Sequence, residues 1–216
     1  DTLGGTAHSV NDDVILPNST TDIDSEARWY PFQLAFLLLV IPSLSDLDNP
    51  DRALVDLIWF PTGGGKTEAY LGLIAFTMGH KRLRNEIEVE KYGVTVLMRY
   101  TLRLLTIQQF QRASTLMCAC EYIRRNEIMG TDITDAFGDE PFSIGLWVGQ
   151  GTTPNKLNQE DREGRYGTGC IQALDYAKDH GGEPPKTHNP IQLLSCPWCG
   201  EKLDWRNYLV ETQTGT

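Results

Sequence analysis

Phe60-Pro-Thr-Gly-Gly-Gly-Lys-Thr67 is the stretch of sequence that decides the fold. The apolar run 54–60 leads into it with β-branched and aromatic residues, a composition typical of a buried parallel strand. Apolar residues at helical spacing come after it and predict a helix from Lys66 to about Arg84. Successive backbone N–H groups and a helix N-terminus at such a turn make a cradle for phosphate oxygens. The stretch therefore predicts a phosphate-binding loop between a strand and a helix.

The side chains of this loop suit a nucleotide with a metal ion. The Lys66 ammonium can reach the β- and γ-phosphates, and the Thr67 hydroxyl can ligate Mg²⁺. The strict pattern has glycine where this chain has Phe60, so a glycine turn ahead of an ordinary helix is the alternative. The strand before and the helix after favour the phosphate loop. We expect ATP and Mg²⁺ to be bound by Pro61, Thr62, Gly63, Gly64, Gly65, Lys66, Thr67 and Glu68.

The pattern continues along the chain with alternating strands and helices. Runs 94–98 and 142–148 predict two more strands, and 29–41 and 102–125 predict helices, with Pro42 closing the first of these. Such alternation is typical of βαβ units and a parallel sheet flanked by helices. Residues 1–27 are polar and predict an arm or loop. Residues 28–150 would form the α/β part, and the Gly- and Pro-rich residues 151–216 an insertion with a short helix at about 169–178.

The insertion leads to Cys196-Pro-Trp-Cys-Gly200, a sequence typical of a zinc knuckle. Its tight turn lets the thiolates of Cys196 and Cys199 reach one Zn²⁺ ion, which needs four ligands. Cys170, His188 or a second cysteine pair beyond residue 216 could supply the rest. A redox pair or a bare turn is the alternative. Two further cysteines, Cys118 and Cys120, stand two apart on the predicted helix 102–125 and cannot chelate together, so we expect them in the core.

Composition limits the function further. The 216 residues include 19 Lys+Arg against 29 Asp+Glu, a net charge of −10, which disfavours whole-surface nucleic-acid binding but leaves room for a local groove. No apolar run reaches the roughly 18 residues that a membrane helix needs. Five cysteines do not form the even pattern of a secreted disulfide framework, so a reducing, cytoplasmic setting fits.

Pro-Thr-Gly-x-Gly-Lys-Thr resembles motif I of the superfamily 2 helicases, where the first position is usually not glycine. Arg28-Trp-Tyr-Pro-Phe-Gln33 resembles their glutamine motif, which implies that Gln33 reads adenine with Arg28 nearby; an exposed polar helix position is the alternative for Gln33. Stretches 98–105 and 144–149 resemble motif Ia and the next strand with its glycine end. By resemblance the contacts to DNA phosphates fall on Arg99, Tyr100, Thr101, Arg103, Gly149, Gln150 and Thr152, although surface arginines at a helix start would look similar.

The resemblance implies an incomplete first RecA-like lobe of an ATP-dependent DNA helicase or translocase, interrupted by the zinc knuckle. The longer strings around the loop and the knuckle resemble the large helicase subunits of bacterial DISARM anti-phage systems. Their implied partners are DNA, as a single strand or a duplex end with a single-stranded tail, and a DrmB-like subunit. The acidic hydrolysis motif is not found, because Asp139-Glu140 precedes its predicted strand; we expect a piece of a longer protein that is inactive alone. A phosphate-loop switch that remodels a protein, and a zinc-centred interaction module with a vestigial nucleotide site, are the alternatives.

Overall fold

The computed structural model describes residues 28–61, 63–84, 92–100, 103–126, 134–149, 152–158 and 169–210. Within these ranges the secondary structure is helical. The elements are α1 (Pro31–Ser45), a 3₁₀ turn (Pro50–Ala53), α2 (Lys66–Arg84), α3 (Arg103–Arg125), the single turn α4 (Thr134–Phe137), α5 (Cys170–Asp179) and a second 3₁₀ turn (Trp205–Asn207). None of the helices in these ranges is both long and apolar enough to cross a membrane.

Helix α2 is the centre of the packing, since α1, α3 and α4 all contact it. The prediction of a helix from Lys66 to about Arg84 is confirmed. Ala69 and Ile74 are buried on it. Gly72 lets α2 approach the start of α1 closely, because a Cβ at this position would lie 2.8 Å from the indole ring of Trp29.

Helix α1 starts with Pro31, whose missing N–H costs nothing in a first turn. The prediction that Pro42 closes this helix was wrong, since α1 runs through Pro42 to Ser45. The proline removes a single N–H, and the last turn gains other bonds: the Ser45 hydroxyl donates to the carbonyl of Ile41 at 2.8 Å, and the Asp46 N–H donates to that of Pro42 at 3.1 Å. Local side-chain and capping bonds therefore carry the helix past its proline.

Buried Arg82 fastens α4 and the segment after it to α2. Its guanidinium donates to the carbonyls of Phe137 (3.2 Å), Glu140 (2.5 Å) and Pro141 (3.0 Å). The guanidinium carbon also lies 3.8 Å from the centre of the Phe142 ring. Burial lowers the pKa of Arg82. The planar group thus satisfies three carbonyls and stacks on an aromatic ring, which a lysine cannot do.

Glu121 of α3 holds the same segment from the other side. Its carboxylate accepts from Arg124 (2.7 and 2.8 Å), from Arg125 (2.6 Å) and from the N–H of Phe142 (3.0 Å). Burial alone would raise the pKa of Glu121, but these hydrogen bonds outweigh it and bring that pKa to about 2. Residues 138–142 are consequently tied to both α2 and α3.

The prediction of an α/β, RecA-like parallel sheet was wrong. Segments 54–60, 94–100 and 141–149 have no regular secondary structure, and no backbone hydrogen bonds join them within the described ranges. Side chains predicted to be buried on strands are exposed, among them Val55 (95 %), Trp59 (87 %) and Trp147 (98 %). The β-pairing in the described part of the chain is one isolated antiparallel bridge between Ser195 and Lys202.

The physical reason is that an apolar run is a local signal, whereas a strand exists only when a second backbone pairs with it. Here the runs 94–98 and 142–147 face a cavity of about 540 Å³ that they share with Ile74 of α2 and Met117 of α3. The two runs border this cavity without pairing with each other.

The predicted short helix of the insertion is confirmed as α5. Ala173 and Ala177 are buried on it. Its first N–H groups donate to the carbonyls of Lys156 and Leu157, both at 3.0 Å, so the segment 152–158 caps the helix. The boundaries at residues 27 and 150 stay predictions, and the arm 1–27 lies outside the described residues.

Candidate functional site

The glycine loop before α2 has the backbone of an anion cradle. Gly63 and Gly65 have φ angles of +82° and +85°, in the left-handed region that glycine adopts without steric cost. The N–H of Gly64 donates to the carbonyl of Pro61 at 3.2 Å and closes the turn, and α2 begins at Lys66. The first N–H groups of a helix have no intrahelical acceptor, so a helix start is a place where an anion can be bound. Thr62 lies outside the described residues.

The Lys66 side chain folds back over the loop. Its ammonium donates to the carbonyls of Phe60 at 2.6 Å and Pro61 at 2.8 Å. Both carbonyls belong to residues shortly before the glycines, so the positive charge is held at the entrance of the turn. An anion in the cradle would meet this charge.

Gln33 links α1 to the glycine loop. Its Nε2 donates to the carbonyl of Gly65 at 2.7 Å, and its Oε1 accepts from the N–H of Tyr30 at 2.8 Å. The side chain is 3 % exposed, so Gln33 is not a polar residue on an open helix face. Stacking of Phe32 on Phe60, with ring centres 3.9 Å apart, fixes the same junction. A contact of Gln33 with adenine stays a prediction, as does a role for Arg28, which is exposed just ahead of α1.

Glu68, in the first turn of α2, is paired with Arg112 of α3. Burial would raise the pKa of Glu68, but its own backbone N–H and the Arg112 guanidinium lower it further than burial raises it. Thr67 is half-buried beside this pair. The ion pair attaches the start of α2 to α3 next to the loop.

The residues predicted to contact DNA lie in two places. Arg99 is exposed and Tyr100 is half-buried, which raises the pKa of the Tyr100 hydroxyl. Gly149 and Thr152 share one turn, where the N–H of Thr152 donates to the carbonyl of Gly149 at 2.8 Å. Thr152 is 8 % exposed, a burial that does not suit a contact to phosphates. Thr101, Gln150 and the side chain of Arg103 lie outside the described residues.

The cysteine knuckle is a compact turn. The N–H of Cys196 donates to the carbonyl of Glu201 at 2.7 Å, and the N–H of Gly200 donates to that of Cys196 at 2.9 Å. Gly200 takes a φ of +76°, which the turn requires. Burial would raise the pKa of Cys196, but the N–H groups of Cys199 and Trp198 and the Cys199 thiol donate to its sulfur and bring that pKa below its usual value. The turn therefore favours a thiolate at Cys196, the form that binds metals.

The knuckle is docked on α3, a partner that sequence reasoning missed. The Thr115 hydroxyl donates to the carbonyl of Pro197 at 3.1 Å, and Trp198 stacks on Tyr122 with ring centres 5.7 Å apart. The spacing of Thr115 and Tyr122, seven residues or two helical turns, was the available signal. Among the described residues no three His, Cys, Asp or Glu side chains are already grouped to hold a metal ion, so Cys170 and His188 are not assembled with the knuckle.

A glycine cradle with a lysine at its mouth, joined through one helix to a cysteine knuckle, defines a candidate phosphate-binding site in a cysteine-knuckle protein. The chain is 44 % identical over 207 residues to the DISARM protein DrmA of Bacillus paralicheniformis, an alignment that covers 92 % of this chain. This identity supports the assignment of the chain to the DISARM protein DrmA, and the predicted resemblance to DISARM proteins is confirmed. It spans 17 % of that relative's length. No protein-family model and no solved structure matches the chain.

Proposed function

We propose that this chain supplies the phosphate-binding loop of an ATP-dependent DNA helicase or translocase that acts in DISARM anti-phage defence. The observation that carries the proposal is the loop itself, with two left-handed glycines, a helix N-terminus and the Lys66 ammonium at its mouth. The defence role rests on the relative, which is named as a DISARM protein. The activity of the whole protein is part of the proposal, because the chain spans 17 % of that relative.

The residues of the loop fit ATP with Mg²⁺. Lys66 would exchange its two carbonyl partners for phosphate oxygens, and the Thr67 hydroxyl would ligate the metal. Gln33 would keep the Gly65 carbonyl turned away from the phosphates, since it already holds that oxygen at 2.7 Å. Bound ATP supplies the phosphoanhydride bond whose hydrolysis powers movement. The acidic residues for hydrolysis are not among those we assign, so we expect no turnover from this chain alone.

The partners follow from the same proposal. DNA, as a single strand or a tailed duplex end, would be gripped locally, because a chain of net charge −10 does not attract phosphates over its whole surface. Exposed Arg99 is the described side chain best suited to that grip. A DrmB-like subunit is the proposed protein partner, in the cytoplasm. Zn²⁺ at Cys196 and Cys199 would have a structural role.

The test is the ATPase rate of the full-length protein with and without single-stranded DNA. We compare the wild type with Lys66→Ala and with Lys81→Ala as the matched control. Lys81 lies on the same helix, and its ammonium donates to the carbonyl of Gly93 at 3.1 Å, away from the loop. We expect DNA to stimulate the wild type and Lys81→Ala, and Lys66→Ala to lose activity.

Three results would contradict the proposal. Activity that depends on Lys66 but ignores DNA would identify a switch that remodels a protein partner. Activity that survives Lys66→Ala, or no activity in any variant, would indicate a vestigial nucleotide site and leave the knuckle as the functional part. Steep loss of DNA binding with rising salt would separate phosphate contacts from other binding.

A further inference from the structure

One face of α3 carries three side chains at the spacing i, i+3 and i+7: Thr115, Cys118 and Tyr122. Residues at this spacing lie on the same side of a helix. The first and the last of them contact the knuckle, Thr115 through Pro197 and Tyr122 through Trp198. Cys118 lies between these two contacts along the helix. In the knuckle, the contacting residues Pro197 and Trp198 lie between the two cysteines. The Cys118 thiol therefore lies on the face of α3 that meets the knuckle.

The electrostatics agree with this placement. Burial raises the pKa of Cys118, and the negative charges of Cys196 and Cys199 raise it further. This direction agrees with the placement that the Thr115–Pro197 and Tyr122–Trp198 contacts give to Cys118. The pKa of Cys170 is raised by burial, without a contribution from the knuckle cysteines.

We propose that Cys118 joins Cys196 and Cys199 as the third thiolate of a site for a soft divalent metal ion, Zn²⁺ in the cell. Binding exchanges three thiol protons for one Zn²⁺ ion and leaves one net negative charge on the three-thiolate group, with the fourth position taken by water or by a ligand outside these residues. The inference does not depend on the proposed nucleotide site.

The three sulfurs have to draw together when the ion binds, because no three ligands are already grouped in the described residues. Each thiol can move by rotation about a single side-chain bond, while the backbones are held by the Thr115–Pro197 hydrogen bond and the Tyr122–Trp198 stack.

Cys120 provides the matched control. It is two residues from Cys118, about 200° around the helix, and thus on another side. Burial raises its pKa, and the positive charge of Arg82 on α2 lowers it. The two cysteines of one helical turn therefore differ in the property that the proposal needs.

The experiment titrates the reduced full-length protein with Cd²⁺ and records the thiolate-to-metal charge-transfer absorbance, then measures Zn²⁺ affinity by competition with a chelator. We expect Cys118→Ser to lose about a third of the absorbance that the three thiolates give and to bind Zn²⁺ at least ~10-fold more weakly. Cys120→Ser should match the wild type. Cys118→His, which keeps a ligand, should recover Zn²⁺ affinity while still lacking one thiolate contribution.

Three outcomes would overturn the proposal. The first is wild-type absorbance and affinity in Cys118→Ser. The second is an equal loss in Cys120→Ser. The third is a fully reduced wild-type protein that gives no thiolate-to-metal absorbance with Cd²⁺. If Cys118→Ser fails to fold, Cys118→His decides, since a folded histidine variant with wild-type thiolate absorbance also contradicts the site.

Discussion

Replacing Gly65 with alanine tests whether the loop depends on both its backbone conformation and Gln33. Gly65 has a φ of +85°, and an added Cβ would lie 2.7 Å from Nε2 of Gln33. The amide would have to move and would lose its 2.7 Å hydrogen bond to the Gly65 carbonyl. Gly63 has a similar φ of +82° with nothing within 4 Å of its Cβ position, so Gly63→Ala isolates the backbone cost. Gly145→Ala, in open space, is the neutral control.

The two costs can be estimated separately. A left-handed alanine costs roughly 1–2 kcal/mol. A buried amide deprived of its partner costs about 1–3 kcal/mol more. Since each 1.4 kcal/mol is about tenfold in affinity, ATP should bind about 5- to 30-fold more weakly to Gly63→Ala and at least ~30-fold more weakly to Gly65→Ala. Gly145→Ala should bind as the wild type does.

The assay is equilibrium binding of a fluorescent ATP analogue to the full-length protein. Adding Gln33→Ala to Gly65→Ala removes the amide that the new Cβ would meet. The loss of ATP binding free energy in the double variant should therefore be smaller than the sum of the losses in the two single variants, by more than about 0.5 kcal/mol. Equal affinities of Gly63→Ala and Gly65→Ala, together with strict additivity, would refute the reasoning. The thermal unfolding temperatures of the same variants, measured without nucleotide, show which substitution destabilises the protein more.

Two further predictions concern the segment 138–142. Arg82→Lys should reduce the free energy of unfolding by about 2–4 kcal/mol, because an ammonium cannot bond three carbonyls and also stack on a ring. The control Arg84→Lys, at an exposed position, should change it by less than about 0.5 kcal/mol. Equal midpoints of urea unfolding for the two variants would contradict this prediction. Glu121 has a folded pKa of about 2, below its usual 4.5, so its contribution is complete above pH 4.5 and is lost as the pH falls toward 2. The thermal unfolding temperature of the wild type should fall as the pH is lowered from 7 to 2, and Glu121→Gln should make this fall smaller. An equal fall in the variant would mean that other carboxylates cause the loss of stability in acid.

The helices were predictable because their signals are local. Apolar spacing and the lysine-threonine start define α2, and the same periodicity defines α3 and α5. The end of α1 was misjudged because the helix-stopping effect of Pro42 was weighed without the hydroxyl bond of Ser45. A single proline removes one backbone donor, and neighbouring side chains can offset that loss.

The strands were not predictable, because the apolar runs carry no information about the backbone that would pair with them. Trp59 and Trp147 have strand-like neighbours in the sequence, yet they are exposed. Contacts between distant residues were hidden for the same reason. Gln33 and Gly65 are 32 residues apart, and Thr115 and Pro197 are 82 apart. The resemblance to helicases indicated that Gln33 and the loop belong to one site. The seven-residue spacing of Thr115 and Tyr122 marks one face of α3, but it does not say that the knuckle is what packs there.

Helix α3 serves two neighbours at once, and this constrains how the family can change. Arg112 pairs with Glu68 beside the glycine loop, and Thr115, three residues later, holds the knuckle. Inserting or deleting one residue between them would rotate the rest of the helix by about 100° and detach one neighbour. The segment that carries the knuckle therefore depends on α3 as well as on the two points where it joins the rest of the chain. A relative with a different knuckle should also have matching side chains on the face of this helix that contacts it, at the same spacing from Arg112.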